Sequence, residues 1–318
     1  MKIAVVHFSI LLNSLLVTLS SVINSNTNHK LPSRNHHKEN YNFPELIQAW
    51  PELAAFVKKN AFGNESIQFS DANAVKALNK AILIKDYGLT FWDIPTNYLC
   101  PPIPGRAAYL ESLNEAFQLP TKQEKTACLD IGTGANCIYP ILGAKKWKWN
   151  FVATDIDPLA LKSAQHILDN NPGLNDKIEL RLQPEAKAIF KGVIHANEQF
   201  LFSICNPPFH SSKQEAMRGN QRKNRNLSKN NKAKTHLNFG GQSNELWCEG
   251  GEEGFVSRMI QESIKYKSQV TWFTSLVSKE TTVHALIPRI ESVGARDLRI
   301  LPMETGNKVS RILCWTFS

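Results

Sequence analysis

Asn206-Pro207-Pro208-Phe209 directly follows the apolar run Phe200 to Cys205, and these residue types in this order suit transfer of a group onto an exocyclic amine. The lone pair of an aromatic amine is delocalised into its ring, so the nitrogen attacks poorly until its two hydrogens are held. The Asn206 side-chain oxygen and the Pro207 carbonyl can accept those hydrogens, helping the nitrogen pyramidalise and aim its lone pair at an incoming methyl. Pro207 and Pro208 stiffen the arrangement, and Phe209 offers a face for a base taken out of its stack. The same tetrapeptide also reads as a plain proline turn after a buried strand, with Phe209 in the core. Its place after two other strand ends favours the chemical reading.

Those two strand ends suit a nucleoside-bearing cofactor. Leu129-Asp130-Ile131-Gly132-Thr133-Gly134-Ala135-Asn136 reads as a strand ending in a Gly-x-Gly turn that leads into a helix, and glycine there lets backbone approach a ligand closely. Roughly twenty residues on, Asp155 closes the run Phe151 to Thr154 and is placed to accept hydrogen bonds from ribose hydroxyls. The third glycine of the dinucleotide fingerprint is missing, since position 137 is Cys137. That absence favours S-adenosylmethionine, which lacks a pyrophosphate, over NAD. Asp130, Gly132, Gly134, Asn136, Asp155 and Asn206 are the candidate cofactor contacts.

No metal is required by this chemistry, and none is indicated. The six cysteines are scattered, with no CxxC pair and no Cys/His cluster at zinc spacing, so they read as reduced, mostly buried thiols. The 318 residues carry a formal charge of +9, compatible with nucleic acid or an acidic membrane surface. Much of that charge is local: between Lys213 and Lys234 eight basic residues stand against Glu215 alone, a surplus of +7. Lys213, Arg218, Arg222, Lys223 and Arg225 are the candidate RNA contacts, holding phosphates beside the target base. A solvated lysine loop is the plainer reading of any one of them.

The elements that must position these residues change period along the chain. Residues 1–30 form a leader that resembles a signal peptide without a clean cleavage site, or else an upstream start. From Phe43 to about Gln118 apolar residues recur three and four apart, as in Leu46, Ile47, Trp50 and Leu53, which predicts a helical N-terminal unit over residues 31–118. Asp71 is the expected N-cap of one helix. The joint Cys100 to Arg106 is expected to be extended and stiff, with helix resuming at Ala107. Residues 119–318 then alternate seven short apolar runs with helices such as Pro158 to Leu168 and Phe255 to Tyr266, predicting an α/β, doubly wound, mainly parallel sheet. The basic insertion, residues 210–248, breaks this alternation as a surface loop, and Gly250-Gly251-Glu252 reads as a helix start.

From about Pro32 onward the chain resembles the bacterial 23S ribosomal RNA adenine-N6 methyltransferases of the RlmF type, which are related to eukaryotic methyltransferases of small nuclear and messenger RNA. The resemblance is carried by Ala74 to Ala81, Trp92-Asp93-Ile94-Pro95, Cys100-Pro101-Pro102 with Pro104-Gly105-Arg106, Asp130 to Pro140, Asn206 to His210, Leu237 to Gln242, Glu245 to Glu252 and Trp272 to Ser278. It implies a Rossmann-like class I S-adenosylmethionine-dependent methyltransferase that methylates N6 of a single adenine in 23S rRNA. The implied enzyme acts on rRNA or a large-subunit precursor in the cytoplasm, with the apolar N-terminal segment the one argument for export, and a monomer is expected. Arg106, in the Pro-Gly-Arg joint, is placed to reach the cofactor carboxylate or an RNA phosphate, or to form a plain surface salt bridge, and the resemblance favours the cofactor; it also places Lys187 in a basic loop near the cofactor. Two other readings share these residues: methylation of a protein glutamine amide, and a non-catalytic RNA-binding or ribosome-assembly factor that keeps the fold.

Overall fold

The computed structural model describes residues 41–96, 98–118, 126–212, 214–215, 243–305 and 308–318. Helix α1 (Phe43–Ala49) is capped by Asn42, whose side chain accepts from the Glu45 N–H. A 3-10 turn (Pro51–Phe56) leads into a small antiparallel hairpin of β1 (Val57–Lys59) and β2 (Glu65–Ile67). Helix α2 (Ala72–Tyr87) starts at the expected cap, Asp71, which accepts from the Asn73 and Ala74 N–H groups, and it ends at Gly88 in the left-handed conformation. The hairpin departs from the helical reading of this segment. Three-residue strands are too short to impose a period of two on the sequence.

Helix α3 (Ile103–Ala116) corrects a second expectation: it begins inside the proline-rich joint rather than at Ala107. Pro104 stands in its first turn, where the missing N–H would have had no helical partner and the fixed φ already suits a helix. Arg106 is therefore a helical residue, rigidly placed.

Seven strands form the main sheet in the order β5-β4-β3-β6-β7-β9-β8. They are β3 (Ala127–Ile131), β4 (Asn150–Asp155), β5 (Ile178–Leu182), β6 (Phe200–Cys205), β7 (Val270–Val277), β8 (Asp297–Thr305) and β9 (Lys308–Thr316). The first five in sequence run parallel, and β9 pairs antiparallel with both β7 and β8. Between them lie α4 (Ile138–Trp147), α5 (Pro158–Asp169), the short α6 (Ser243–Leu246), α7 (Gly251–Ser263) and α8 (Glu280–Ser292).

Side chains alternate across the sheet and feed two cores. Ile312 and Cys314 join a cluster with Leu78, Ile82, Trp92, Tyr109 and Leu142, so the segment from residue 41 to 118 packs against the sheet through continuous apolar surface. Leu313 and Trp315 face the other way, against Met259 and Ile260 of α7 and Leu286 of α8. All six cysteines are free, five of them buried. Among the described residues no helix is long and apolar enough to cross a membrane, and no group of three or more His, Cys, Asp or Glu could hold a metal ion. Because β3 to β7 are parallel, their carboxyl ends share one edge, where ligands of open α/β sheets bind.

Candidate active site

A cavity of about 410 Å³ opens at that edge, with Gly132, Asp155 and Asn206 in its wall. Gly132 and Gly134 have φ of 74° and 66°, a conformation that most side chains resist. This turn lets the Gly132 and Thr133 N–H groups donate to the Thr154 carbonyl, each at 2.9 Å, while the Gly134 N–H donates to Asp155 Oδ2 at 2.8 Å. Asp155 Oδ1 accepts from the Asp157 N–H at 2.9 Å. The acid that ends β4 thus locks the two strand-end loops together and keeps further lone pairs for a ligand. Burial pushes its pKa up, and the backbone N–H groups hold it back.

Asp130 lies one step back in β3, fully buried beside the Thr133 hydroxyl, with no well-formed hydrogen bond to either carboxylate oxygen. Burial, reinforced by the nearby Asp155 charge, raises its pKa to about 7, against the opposing pull of Thr133 and Arg106. Arg106 also lines the cavity, 8% exposed. Its Nη1 donates to Tyr139 Oη at 3.0 Å, and among the described residues no carboxylate forms an ion pair with it. A buried guanidinium without a counter-ion is costly to keep, and an anionic ligand would relieve that cost. Asn136 lines the cavity too, but its amide is engaged: Oδ1 accepts from the Ile138 N–H at 3.1 Å and Nδ2 donates to the Leu99 carbonyl at 3.4 Å.

Asn206 follows the last residue of β6, whose carbonyl accepts from Tyr109 Oη of α3 at 3.5 Å. Tyr109 Oη also shares a 2.9 Å hydrogen bond with Thr274 of β7, so two elements fix the height of this strand end. Asn206 Oδ1 is shut off from solvent and has no partner, an arrangement that costs about 1–3 kcal/mol unless a ligand supplies the donor. Pro207 and Pro208 line the same wall. Phe209 does not: it is half-buried and packs against the first hydrophobic cluster. An apolar ring emerging from the proline turn gains by joining the adjacent core.

The aromatic side chains in the wall are instead Tyr139, Trp247 and Phe255. Trp247 lies within Glu245 to Glu252, one of the stretches that carry the resemblance, but its residue type and spacing give it no role in the site. It reaches the cavity because the two ends of the insertion are zipped by a parallel backbone bridge, His210 N–H to the Leu246 carbonyl and Cys248 N–H to the His210 carbonyl, both at 3.1 Å. Glu245 Oε2 accepts a further 3.2 Å hydrogen bond from the Leu99 N–H. Lys213, Arg218, Arg222, Lys223 and Arg225 lie outside the described residues. Lys187 is exposed, between the cavity-lining Ala186 and Ala188.

A family model described as RNA methyltransferase matches residues 25–318. The chain belongs to this RNA methyltransferase family. The RNA methyltransferase is 48% identical over 301 residues to "Ribosomal RNA large subunit methyltransferase F" of Bacteroides fragilis, covering 91% of this chain and 99% of the relative. It is 48% identical over 312 residues to the protein of the same name from Shewanella loihica, covering 90% of this chain and 78% of the relative. Among solved structures, the catalytic domain of human METTL16 in complex with MAT2A 3'UTR hairpin 1 matches with a TM-score of 0.77 at 29% identity, over 91% of this chain and 96% of that one. The N-terminal domain of human METTL16 in complex with SAH matches with a TM-score of 0.73 at 27% identity, over 91% and 99%. The sheet order and flanking helices of this RNA methyltransferase are those of the class I S-adenosylmethionine-dependent methyltransferase fold.

Proposed function

We propose that this RNA methyltransferase transfers one methyl group from S-adenosylmethionine to N6 of a single adenine in 23S rRNA, on free rRNA or a large-subunit precursor, as a cytoplasmic monomer. The observation that carries this reading is the unpartnered, buried Oδ1 of Asn206 in the wall of the strand-end cavity. An acceptor held ready at that place fits the hydrogen of an amine. The relatives named for large-subunit ribosomal RNA and the METTL16 complexes with an RNA hairpin and with SAH support the substrate and cofactor classes.

The residues present fit the cofactor. Arg106, buried with no ion pair among the described residues, would take its carboxylate; Asp130, buried with no well-formed hydrogen bond, would face its ammonium group; Asp155 would accept from the ribose hydroxyls. Gly132, Gly134 and Asn136 would let the backbone of the turn approach closely. S-adenosylmethionine, when bound, supplies an electrophilic methyl on its sulfonium sulfur. Asn206 Oδ1 and the Pro207 carbonyl hold the two hydrogens of the adenine amine, which localises the nitrogen lone pair and directs it at the methyl carbon. Once N6 carries the methyl group, the surplus proton on the amine leaves to water. Pro208 stiffens the turn, and Phe209, seated in the core, anchors it from behind. Residues 31–118 provide the RNA-side unit for the methyltransferase unit 119–318, and the basic residues of the insertion hold RNA phosphates.

Purified protein incubated with methyl-labelled S-adenosylmethionine and rRNA from cells lacking the enzyme tests this directly. Digestion should yield labelled N6-methyladenosine at one position. Label in protein glutamine instead, or none in RNA, overturns the proposal.

A further inference from the structure

Side-chain atoms that are closed to solvent and have no partner are few among the described residues, and nearly all are acceptors or hydroxyls able to play either part. The indole Nε1–H of Trp247 is the exception, a group that can only donate. It belongs to a residue that lines the same cavity as Asn206, whose orphaned Oδ1 can only accept. The two are mechanically linked. Trp247 is held in a backbone bridge to His210, four residues after Asn206 in the same stiff turn.

Resting on the function proposed above, we infer that Trp247 is a specificity residue that reads the target base: its indole N–H donates to the ring nitrogen beside the amino group that Asn206 holds. Adenine presents that pattern, an amino donor next to an acceptor nitrogen, on either of its edges, N1 on one side and N7 on the other. Guanine and uracil carry an oxygen where adenine carries its amine, so each would set acceptor against acceptor at Asn206. A base lacking the ring acceptor would leave the Trp247 donor buried and unpaired, and a site built to hydrogen-bond its substrate rejects such analogues strongly. Cytosine offers the same donor–acceptor pair, so the pairing excludes guanine and uracil and leaves cytosine to be rejected by size.

The test is a cycle between Trp247→Phe, which keeps an aromatic ring and removes the donor, and synthetic RNA spanning the methylated position with adenosine, 1-deazaadenosine or 7-deazaadenosine there. With adenosine, the variant should lose about tenfold in kcat/KM, the worth of one net hydrogen bond, while its thermal midpoint and its Kd for S-adenosylmethionine stay those of the unsubstituted protein. The unsubstituted enzyme should lose about as much on one of the two analogues, and the variant should lose nothing further on that analogue. Losses that multiply with both analogues, an unchanged kcat/KM, or a weakened Kd for S-adenosylmethionine would each overturn the assignment of Trp247 while leaving the function intact. Absence of N6-methyladenosine with the unsubstituted enzyme and adenosine RNA would instead overturn the function.

Discussion

Asn206, Arg106 and Asp130 each keep bonding capacity that the fold itself does not use, and their consequences differ because their charges differ. Asn206 is neutral and, in the proposed reaction, acts chiefly on the amine, so Asn206→Ala is expected to lower kcat by about a hundredfold or more, as for removal of one aligned transition-state partner, with the Kd for S-adenosylmethionine measured by calorimetry largely preserved. Asp130 is ionisable, and its carboxyl rises from 3.8 to about 7 on burial. An acid whose folded pKa is raised binds a proton more tightly in the fold than in the unfolded chain, so stability falls as pH rises between those values. In the ligand-free protein the cost is absent below about pH 4, grows through neutrality and is constant above, at most on the order of 4 kcal/mol. Asp130→Asn should therefore match the unsubstituted protein in denaturant unfolding at pH 4 and exceed it at pH 8. A constant difference across that range would show that Asp130 is not titrating as described.

At the scale of elements, the site depends on how the base of the insertion meets the start of α7. Gly251 has φ of 58° and a Cβ built on it would lie 3.1 Å from the Ser211 backbone nitrogen, so this residue lets α7 begin directly against the strand-end turn. Gly251→Ala is expected to destabilise the protein by about 1 kcal/mol or more. It should also lower methyl transfer more than cofactor affinity, since the displaced backbone carries the His210–Trp247 bridge rather than the glycine turn. Unfolding midpoints and a kcat/KM measurement on rRNA check both effects. Helix α3 shows why such placements escape a reading by period alone. Three prolines within Cys100 to Arg106 argue for extended chain, yet Pro104 falls in the first helical turn, where proline is welcome, and this brings Arg106 onto a rigid helix at the cavity.

For the whole molecule, the formal charge of +9 and the surplus in the insertion bear on how RNA is held. Reversing Lys213, Arg218, Arg222, Lys223 and Arg225 to Glu should weaken RNA binding and flatten its dependence on salt, by about 0.7 in the logarithmic slope for each phosphate no longer neutralised. Binding titrations from low to moderate salt measure that slope; an unchanged slope would remove the insertion from the RNA interface. The α/β sheet, its strand order of chemistry and the three strand-end motifs were legible in the sequence because each is local. Gly132 and Gly134, Asp155, and Asn206 to Pro208 all reach one cavity as their positions at strand ends required.

That the strand-end groups proposed to bind a nucleoside cofactor and hold an amine meet at one cavity follows from the sequence alone, since a parallel sheet brings successive strand ends to one edge regardless of detail. Which of those groups are left unsatisfied was settled only by the packing of the chain in space. Phe209 turned to the core and Trp247 entered the wall, and Leu99 met Glu245 across 146 residues of chain. Solvent exclusion and competition for hydrogen-bond partners depend on every neighbour in space, and no pattern of spacing along the chain encodes them.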